Sequence, residues 1–225
     1  MADNALAQGL EKIGYKAAAD SALPQLARYI EEIELFNAAY GLVKVKDRRE
    51  LIVKHILDSL APLPILRRLL EALPGGRTPA IADVGSGAGL PGLPLAICMP
   101  DAQFTLIERM GRRAGFLRNA AAVLGLSNVR IEEKDMEIAQ AACFDIVVFR
   151  AFRPLDPDIF KGLWRLLTAG GMLAAYKGRR QSLEEEMARL VKTADKGAQA
   201  LQWEALPLEV PFLDEERHLL LIRGK

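Results

Sequence analysis

Ile81-Ala-Asp-Val-Gly-Ser-Gly-Ala-Gly-Leu-Pro-Gly92 decides how this chain is read. An apolar run enters Asp83, and a loop with glycine at 85, 87, 89 and 92 follows. Pro91 and Pro94 come next, and Leu93 to Met99 read as a helix. The pattern predicts a buried parallel strand, a turn that something must approach closely, and a helix whose free amides face that turn. Proline is tolerated in a first helical turn, where its missing donor is not needed. Nucleotide-like ligands bind at such joints, although a glycine turn can also be only a tight connection. Phe104 to Ile107 form a second apolar strand, ending at Glu108. That acid lies about twenty residues past the glycine turn, where a Rossmann-type fold sets a carboxylate against a ribose. A carboxylate takes both hydrogens of paired hydroxyls with charge assistance. Asp83, Gly85, Gly87, Gly89 and Glu108 are therefore the first candidates for a cofactor site.

Composition sets outer bounds. A chain of 225 residues, 51% of them hydrophobic, suits one α/β domain with an extension. A net charge of +1 advertises no polyanion, so any nucleic-acid site must come from local clustering. Cys98 and Cys143 both stand in apolar runs, which predicts reduced, buried thiols in a cytoplasmic protein. His55 and His218 are far apart and neither cysteine stands at ligand spacing, so no metal is expected. Neither a signal peptide nor a membrane-spanning run is expected, and a monomer is.

Working outward, residues 1 to about 73 read as helical. Leu26, Ile30, Ile33, Phe36 and Tyr40 recur at three- and four-residue steps. Leu51, Ile52, His55, Ile56 and Leu60 repeat the pattern, and Ile65, Leu66, Leu69 and Leu70 do so again before Pro74-Gly75-Gly76 stops it. Between the first two runs lies a basic elbow, Lys44-Val-Lys-Asp-Arg-Arg-Glu50. A solvated turn is the plain reading of its charges. We read residues 1–76 as a helical cap and 77–225 as a second segment, together one structural unit.

From Ala80 the rhythm becomes strand–helix alternation. Strands are expected near 80–84, 103–108, 129–132, 144–149 and 172–176, and helices near 91–98, 112–124, 155–167 and 181–194. Gly125-Leu-Ser-Asn128 and Ala169-Gly-Gly171 read as helix stops. Two last strands, 200–206 and 218–223, have no helix between them and predict an antiparallel hairpin. A parallel sheet ending in such a hairpin suits S-adenosylmethionine-dependent methyltransferases better than nicotinamide dehydrogenases. The fold class expected is α/β, a Rossmann-like class I methyltransferase with a mainly parallel seven-stranded sheet, an antiparallel terminal hairpin and a helical cap. A nicotinamide-dependent oxidoreductase on the same fold stays as the alternative, as does another class I methyltransferase.

In a doubly wound sheet ligands bind beyond the carboxyl ends of the strands. Past strand two come Arg109, Arg112 and Arg113; past strand three, Lys134, Asp135 and Met136. Past strand four come Arg150 and Arg153, and past strand five, Lys177, Arg179 and Arg180. The cations gather on one edge and favour a phosphate-bearing partner. Asp135-Met136 reads as an adenine pocket, a carboxylate for the base edge and a soft side chain for its face. What is missing narrows the methyl acceptor. Phe149-Arg-Ala-Phe152 replaces the Asp/Asn-Pro-Pro-aromatic sequence of exocyclic-amine methylation, and no cysteine follows strand four to attack a pyrimidine. A ring nitrogen such as guanine N7 needs no base, only alignment and exclusion of water.

Taken together, the motifs resemble the bacterial small-subunit rRNA guanine-N7 methyltransferase family known as RsmG or GidB. The likeness runs from about Tyr40 to Ile222. It is carried by His55-Ile-Leu-Asp-Ser59, Asp83 through Ala96, Phe104 through Arg113, Phe116-Leu117, Arg150-Ala-Phe152, Lys177-Gly178 and Glu216-Arg-His-Leu219. The resemblance implies S-adenosylmethionine as cofactor and one guanine of 16S rRNA in the small ribosomal subunit as substrate. It also implies cofactor contacts at Gly85, Leu90, Asp135, Met136 and Arg150, and RNA contacts at His55, Lys177, Arg217 and His218. Arg150 and Lys177 are candidates next to the chemistry. Lys46, Lys54, Arg112, Arg113, Arg153 and Arg179 complete the RNA candidates. The chain departs from the family pattern at Gly41, Val43, Lys46, Lys54, Glu108, Phe149 and Glu215, which puts RNA contacts through the elbow in question.

Overall fold

The computed structural model describes residues 2–15, 22–73, 76–193 and 201–223. The helix stop expected at Pro74-Gly75, the end of the last helix at residue 194 and the strand start at Ala200 lie outside them. The amino-terminal segment forms α1 (Ala2–Lys12), α2 (Ala22–Tyr40), α3 (Arg48–Leu51), α4 (Asp58–Leu60) and α5 (Leu63–Glu71). A π-helical turn, Ile52–Leu57, joins α3 to α4. Then follow β1 (Ala80–Val84), α6 (Gly92–Cys98), β2 (Gln103–Ile107), α7 (Gly111–Val123), β3 (Val129–Glu132), β4 (Phe144–Arg150), α8 (Pro157–Trp164), β5 (Leu167–Lys177), α9 (Arg180–Thr193), β6 (Gln202–Leu208) and β7 (Arg217–Arg223).

The strands make one seven-stranded sheet in the order β3-β2-β1-β4-β5-β7-β6. The first five are parallel, while β7 runs antiparallel to both β5 and β6. Alternation along β4 sorts its side chains to two cores, Ile146 and Val148 to one and Val147 and Phe149 to the other. On the first face α6, α7 and the cap pack together. Leu26, Ile30, Leu51 and Ile56 of the cap share a core with Ile81, Phe104, Ile146 and Leu219 of the sheet. On the second face α8 and α9 bury Ile159, Leu163, Leu183 and Met187 against Ala82, Val147, Leu173 and Leu220.

Several boundaries differ from those read in the sequence. The elbow is shorter than expected, because Asp47 caps α3 by accepting the Glu50 amide at 2.8 Å. Asp156 caps α8 in the same way through the Ile159 amide, and Pro157 sits at the permitted first position. Ala169-Gly170-Gly171 does not stop a helix: it lies inside β5, which starts at Leu167. Pairing with β4 slips between Phe144 and Ile146 there. A Cβ at Gly171 would stand 3.0 Å from the Phe144 carbonyl oxygen, so the two backbones approach as only glycine allows. Cys98 is buried as expected, but Cys143 is only half-buried. No helix among the described residues is long and apolar enough to cross a membrane, and no cluster of His, Cys, Asp and Glu there could hold a metal.

One buried carboxylate joins cap to sheet. Asp58 Oδ2 accepts Arg150 Nη1 at 2.8 Å, and its Oδ1 accepts Arg217 Nε at 2.9 Å. The π turn makes room for this. The Asp58 amide bonds to the Val53 and His55 carbonyls, and the Lys54 carbonyl accepts from Arg150 Nη1 at 3.3 Å. Next to Asp58, the Ser59 carbonyl accepts the Tyr176 hydroxyl at 2.7 Å.

We propose that residues 1–76 and 77–225 unfold as one unit, and urea denaturation of the full chain should show a single transition by both fluorescence and circular dichroism. Asp58→Ala should lower stability by about 3 kcal/mol, the lower end of the range for breaking a buried ion pair, because both guanidinium groups keep some water. A loss under 1 kcal/mol would mean that apolar packing alone holds the cap.

Candidate active site

The glycine loop follows β1 as a left-handed path, with φ of 71° at Gly85, 57° at Gly87 and 90° at Gly89. Two of these positions also lack room for a side chain. A Cβ at Gly85 would lie 2.7 Å from Phe152 Cε2, and one at Gly89 2.6 Å from Leu93 Cδ1. The loop is tied down on its sheet side. Gly85 and Ser86 amides donate to the Ile107 carbonyl at 2.9 and 3.3 Å, and the Ser86 hydroxyl to the Asp83 carbonyl at 2.8 Å. The Gly92 amide donates to Asp83 Oδ2 at 2.9 Å. The other Asp83 oxygen is buried without a partner, and burial pushes this carboxyl up to about 7 against the opposing pull of the Gly92 amide.

A cleft of about 260 Å³ opens at the carboxyl ends of β1, β2 and β3. Gly85, Glu108, Asp135 and Met136 line it together, as the sequence reading required, with Arg113 and Arg153 at its edge. Glu108 is almost fully buried, and its two oxygens accept the Gly87 amide at 2.9 Å and the Met110 amide at 2.8 Å. A carboxylate oxygen has a second lone pair, so Glu108 can still receive ribose hydroxyls. Asp135 Oδ1 accepts the Met136 amide at 3.0 Å. The glycine cradle, the anchored acid and the orphaned Asp83 oxygen beneath them fit a nucleoside-bearing cofactor.

Other expected contacts lie elsewhere. Asp83 is buried under the loop, Leu90 is in the core shared with the cap, Gly89 packs against Leu93 and Leu117, and Gly87 stands beside the cleft, its amide on Glu108. Arg150 turns away toward Asp58 and does not line the cleft. The Met136 thioether end faces α8, where a Cβ on Gly162 would meet its Cε at 2.8 Å. Phe152 lines the cleft instead, laid over Gly85. Its position depends on Ala151, a non-glycine residue with φ of 48° that reverses the chain straight after β4. In the sequence, Phe152 stood out only as an aromatic residue two places beyond a strand end and as the last residue of the Arg150-Ala-Phe152 motif. Arg109 and Met110 also line the cleft.

Set beside known proteins, residues 22–220 match the profile of the GidB family, rRNA small subunit methyltransferase G. The chain belongs to this family. It is 38% identical to the ribosomal RNA small subunit methyltransferase G of Treponema denticola, over 99% of this chain and 94% of that one. The protein of the same name from Stenotrophomonas maltophilia is also 38% identical, over 97% and 93%. That from Acinetobacter baumannii is 36% identical, over 97% and 96%. Among solved structures, a putative O-methyltransferase from Klebsiella pneumoniae aligns over 90% of both chains with a TM-score of 0.58 at 18% identity. A SAM-dependent methyltransferase from Aquifex aeolicus aligns over 73% of this chain and 92% of its own with a TM-score of 0.52 at 15% identity. The motif resemblance and the class I methyltransferase fold are thus borne out, and the oxidoreductase alternative is set aside.

Within this GidB fold, the cations expected to face RNA divide into groups. Arg113 and Arg153 rim the cleft, Arg153 with its guanidinium 5.1 Å above the Phe152 ring and 3.8 Å from the exposed Glu137 carboxylate. Arg112 lies over the Tyr40 ring at 5.8 Å, and Lys46 and Arg179 are exposed. Others are committed to carboxylates. Lys177 Nζ is 2.6 Å from Glu186, while Lys54 and Arg217 share Glu215 at 3.2 and 2.9 Å. Glu215 thus draws two candidate phosphate ligands into ion pairs. His218 is buried in register with Lys177, its Nδ1 2.7 Å from the Gly178 carbonyl. His55 Nδ1 faces Arg150 Nη2 at 3.3 Å. Burial, then the Arg150 charge, pull its pKa down to about 4, so the ring is neutral at pH 7 and Nδ1 accepts.

His55 lies below its unfolded pKa, so the unfolded chain binds the extra proton between about 6.5 and 4, and stability falls as pH falls through that window. The difference in thermal midpoint between the wild-type protein and His55→Gln should therefore shrink from pH 7 to pH 4.5. A constant difference would show that burial and the Arg150 charge do not hold His55 neutral in the folded protein.

Proposed function

We propose that this protein transfers the methyl group of S-adenosylmethionine to N7 of a guanine in 16S rRNA of the small ribosomal subunit. The observation that carries the reading is the cleft itself: a left-handed glycine loop beside a buried carboxylate that two backbone amides hold in place. Glu108 would hold the ribose hydroxyls, the Gly85 loop would admit the cofactor's amino-acid end, and Asp135 would meet the base edge. When bound, the cofactor supplies an electrophilic sulfonium methyl. Phe152 over Gly85 closes the cleft floor to water, and Arg113 and Arg153 offer charge to nearby phosphates. Arg150 and Leu90 act from below, by holding the β4 end and the loop.

The chemistry asks little of the protein. Guanine N7 presents a free lone pair, so no proton has to be removed before the methyl moves. Glu108 and Asp135 are then free to serve binding, each fixed in place by backbone amides. What remains for the protein is alignment of the purine and electrostatic steering of RNA.

Purified protein with labelled S-adenosylmethionine should methylate small subunits or 16S rRNA, and not tRNA or protein. Borohydride reduction and aniline treatment should then cut the RNA at a single 7-methylguanine. Label without that cut would remove the N7 assignment. Gly85→Asp should weaken S-adenosylhomocysteine binding in calorimetry by at least about tenfold, since a side chain at positive φ is strained and displaces Phe152. Unchanged affinity in a folded variant would count against this cleft.

A further inference from the structure

The cap reaches the glycine loop at one polar contact that no sequence motif marks. Tyr29, in the middle of α2, is completely buried, and its hydroxyl donates to the Ala88 carbonyl at 2.6 Å. Burial raises the phenol well above its ordinary pKa, so the hydroxyl stays protonated and must donate. Ala88 lies between the positive-φ residues Gly87 and Gly89, in the part of the loop with the largest intrinsic freedom. The other loop ties run to β1, β2 and the residues just beyond them, within the loop itself, and to α6. The Gly89 amide donates to the Ser86 carbonyl at 2.7 Å, and the Leu93 amide to the Gly89 carbonyl at 2.7 Å. Tyr29 instead holds the carbonyl end of the Ala88–Gly89 peptide from the cap side. The helix that carries Tyr29 is itself fixed. Glu32, one turn on, accepts from Asn119 of α7 at 2.9 Å, and Gln25 donates to the Leu124 carbonyl at 2.9 Å.

We propose that Tyr29 is a positioning residue for cofactor binding: from the helical cap, its hydroxyl sets the orientation of the Ala88–Gly89 peptide and so the shape of the loop at the cleft. This rests on the reading of the cleft as the S-adenosylmethionine site. The loop's conformation is then shared between sheet and cap, and the cap contributes to cofactor affinity without touching the cofactor. Binding energy is also reciprocal: a cofactor that favours the ordered loop must favour the docked cap by the same factor.

The test compares two buried tyrosine hydroxyls that both bond across the cap–sheet boundary. Tyr29→Phe keeps the ring and removes the bond to the loop. Tyr176→Phe removes the bond to Ser59, far from the loop in sequence. Calorimetry with S-adenosylhomocysteine, well below both melting midpoints, should give about a tenfold weaker Kd for Tyr29→Phe. For Tyr176→Phe the Kd should stay within twofold of the wild type, although its melting midpoint falls. At saturating cofactor, kcat and the KM for RNA should be unchanged in Tyr29→Phe. Equal losses of affinity in both variants, or wild-type affinity in Tyr29→Phe, would overturn the proposal. Should Tyr29→Phe fail to fold, hydrogen exchange on the wild-type protein decides. Added S-adenosylhomocysteine must slow exchange in α2 around Tyr29 as well as in the loop, and slowing confined to the loop would overturn the idea. Failure of the wild-type protein to bind S-adenosylhomocysteine at all would instead remove the functional reading beneath it.

Discussion

Asp58 is the point on which the rest of the architecture turns. A carboxylate that is nearly dry needs compensation, and here it has two guanidinium partners from two different strands. Arg150 comes from the end of β4 and Arg217 from the start of β7, so a single side chain of the cap sets the spacing of both strand ends. The arrangement costs a normal helical turn. Between Ile52 and Leu57 the helix widens to π geometry, and the Lys54 carbonyl becomes a further acceptor for Arg150. His55 completes the ring of groups around that guanidinium as a neutral acceptor.

The consequence reaches the cleft. Arg150 is held from the cap, Ala151 then takes a left-handed conformation, and Phe152 is delivered onto Gly85. From helix α2, Tyr29 reaches the loop after β1. The cap therefore braces the walls of the site from outside the cleft.

Charge is handled with the same economy. The chain has 30 basic and 29 acidic residues, yet several of its cations stand along the carboxyl edge of the sheet. Structural ion pairs absorb Arg150, Arg217, Lys54 and Lys177. Arg112, Arg113 and Arg179 remain on the cleft side or at the surface, as does Arg153, whose partner is the exposed Glu137 at 3.8 Å. A near-neutral protein can in this way present positive charge only where a polyanion must dock, because attraction and screening act over about a Debye length and not over the whole molecule.

Much of this was legible in the chain. The glycine spacing from Gly85 to Gly92, the period-two and period-three-to-four patterns and the unbroken link between the last two strands sufficed for the fold class and the strand order's parallel and antiparallel parts. They also placed Gly85, Glu108, Asp135 and Met136 on one cleft, because strand ends in a parallel sheet must share an edge. Local pattern could not say that Ala169-Gly170-Gly171 bulges within β5, since glycine serves a helix stop and a close strand approach equally well. Nor could it tell that Arg150 faces a carboxylate 92 residues away, that Met136 turns its sulfur toward α8, or that Tyr29 touches Ala88. Periodicity and backbone chemistry act over a few residues and are written in the sequence. The partner of a buried charge or hydroxyl is chosen only when distant segments pack, because only then is water gone and a bond obligatory.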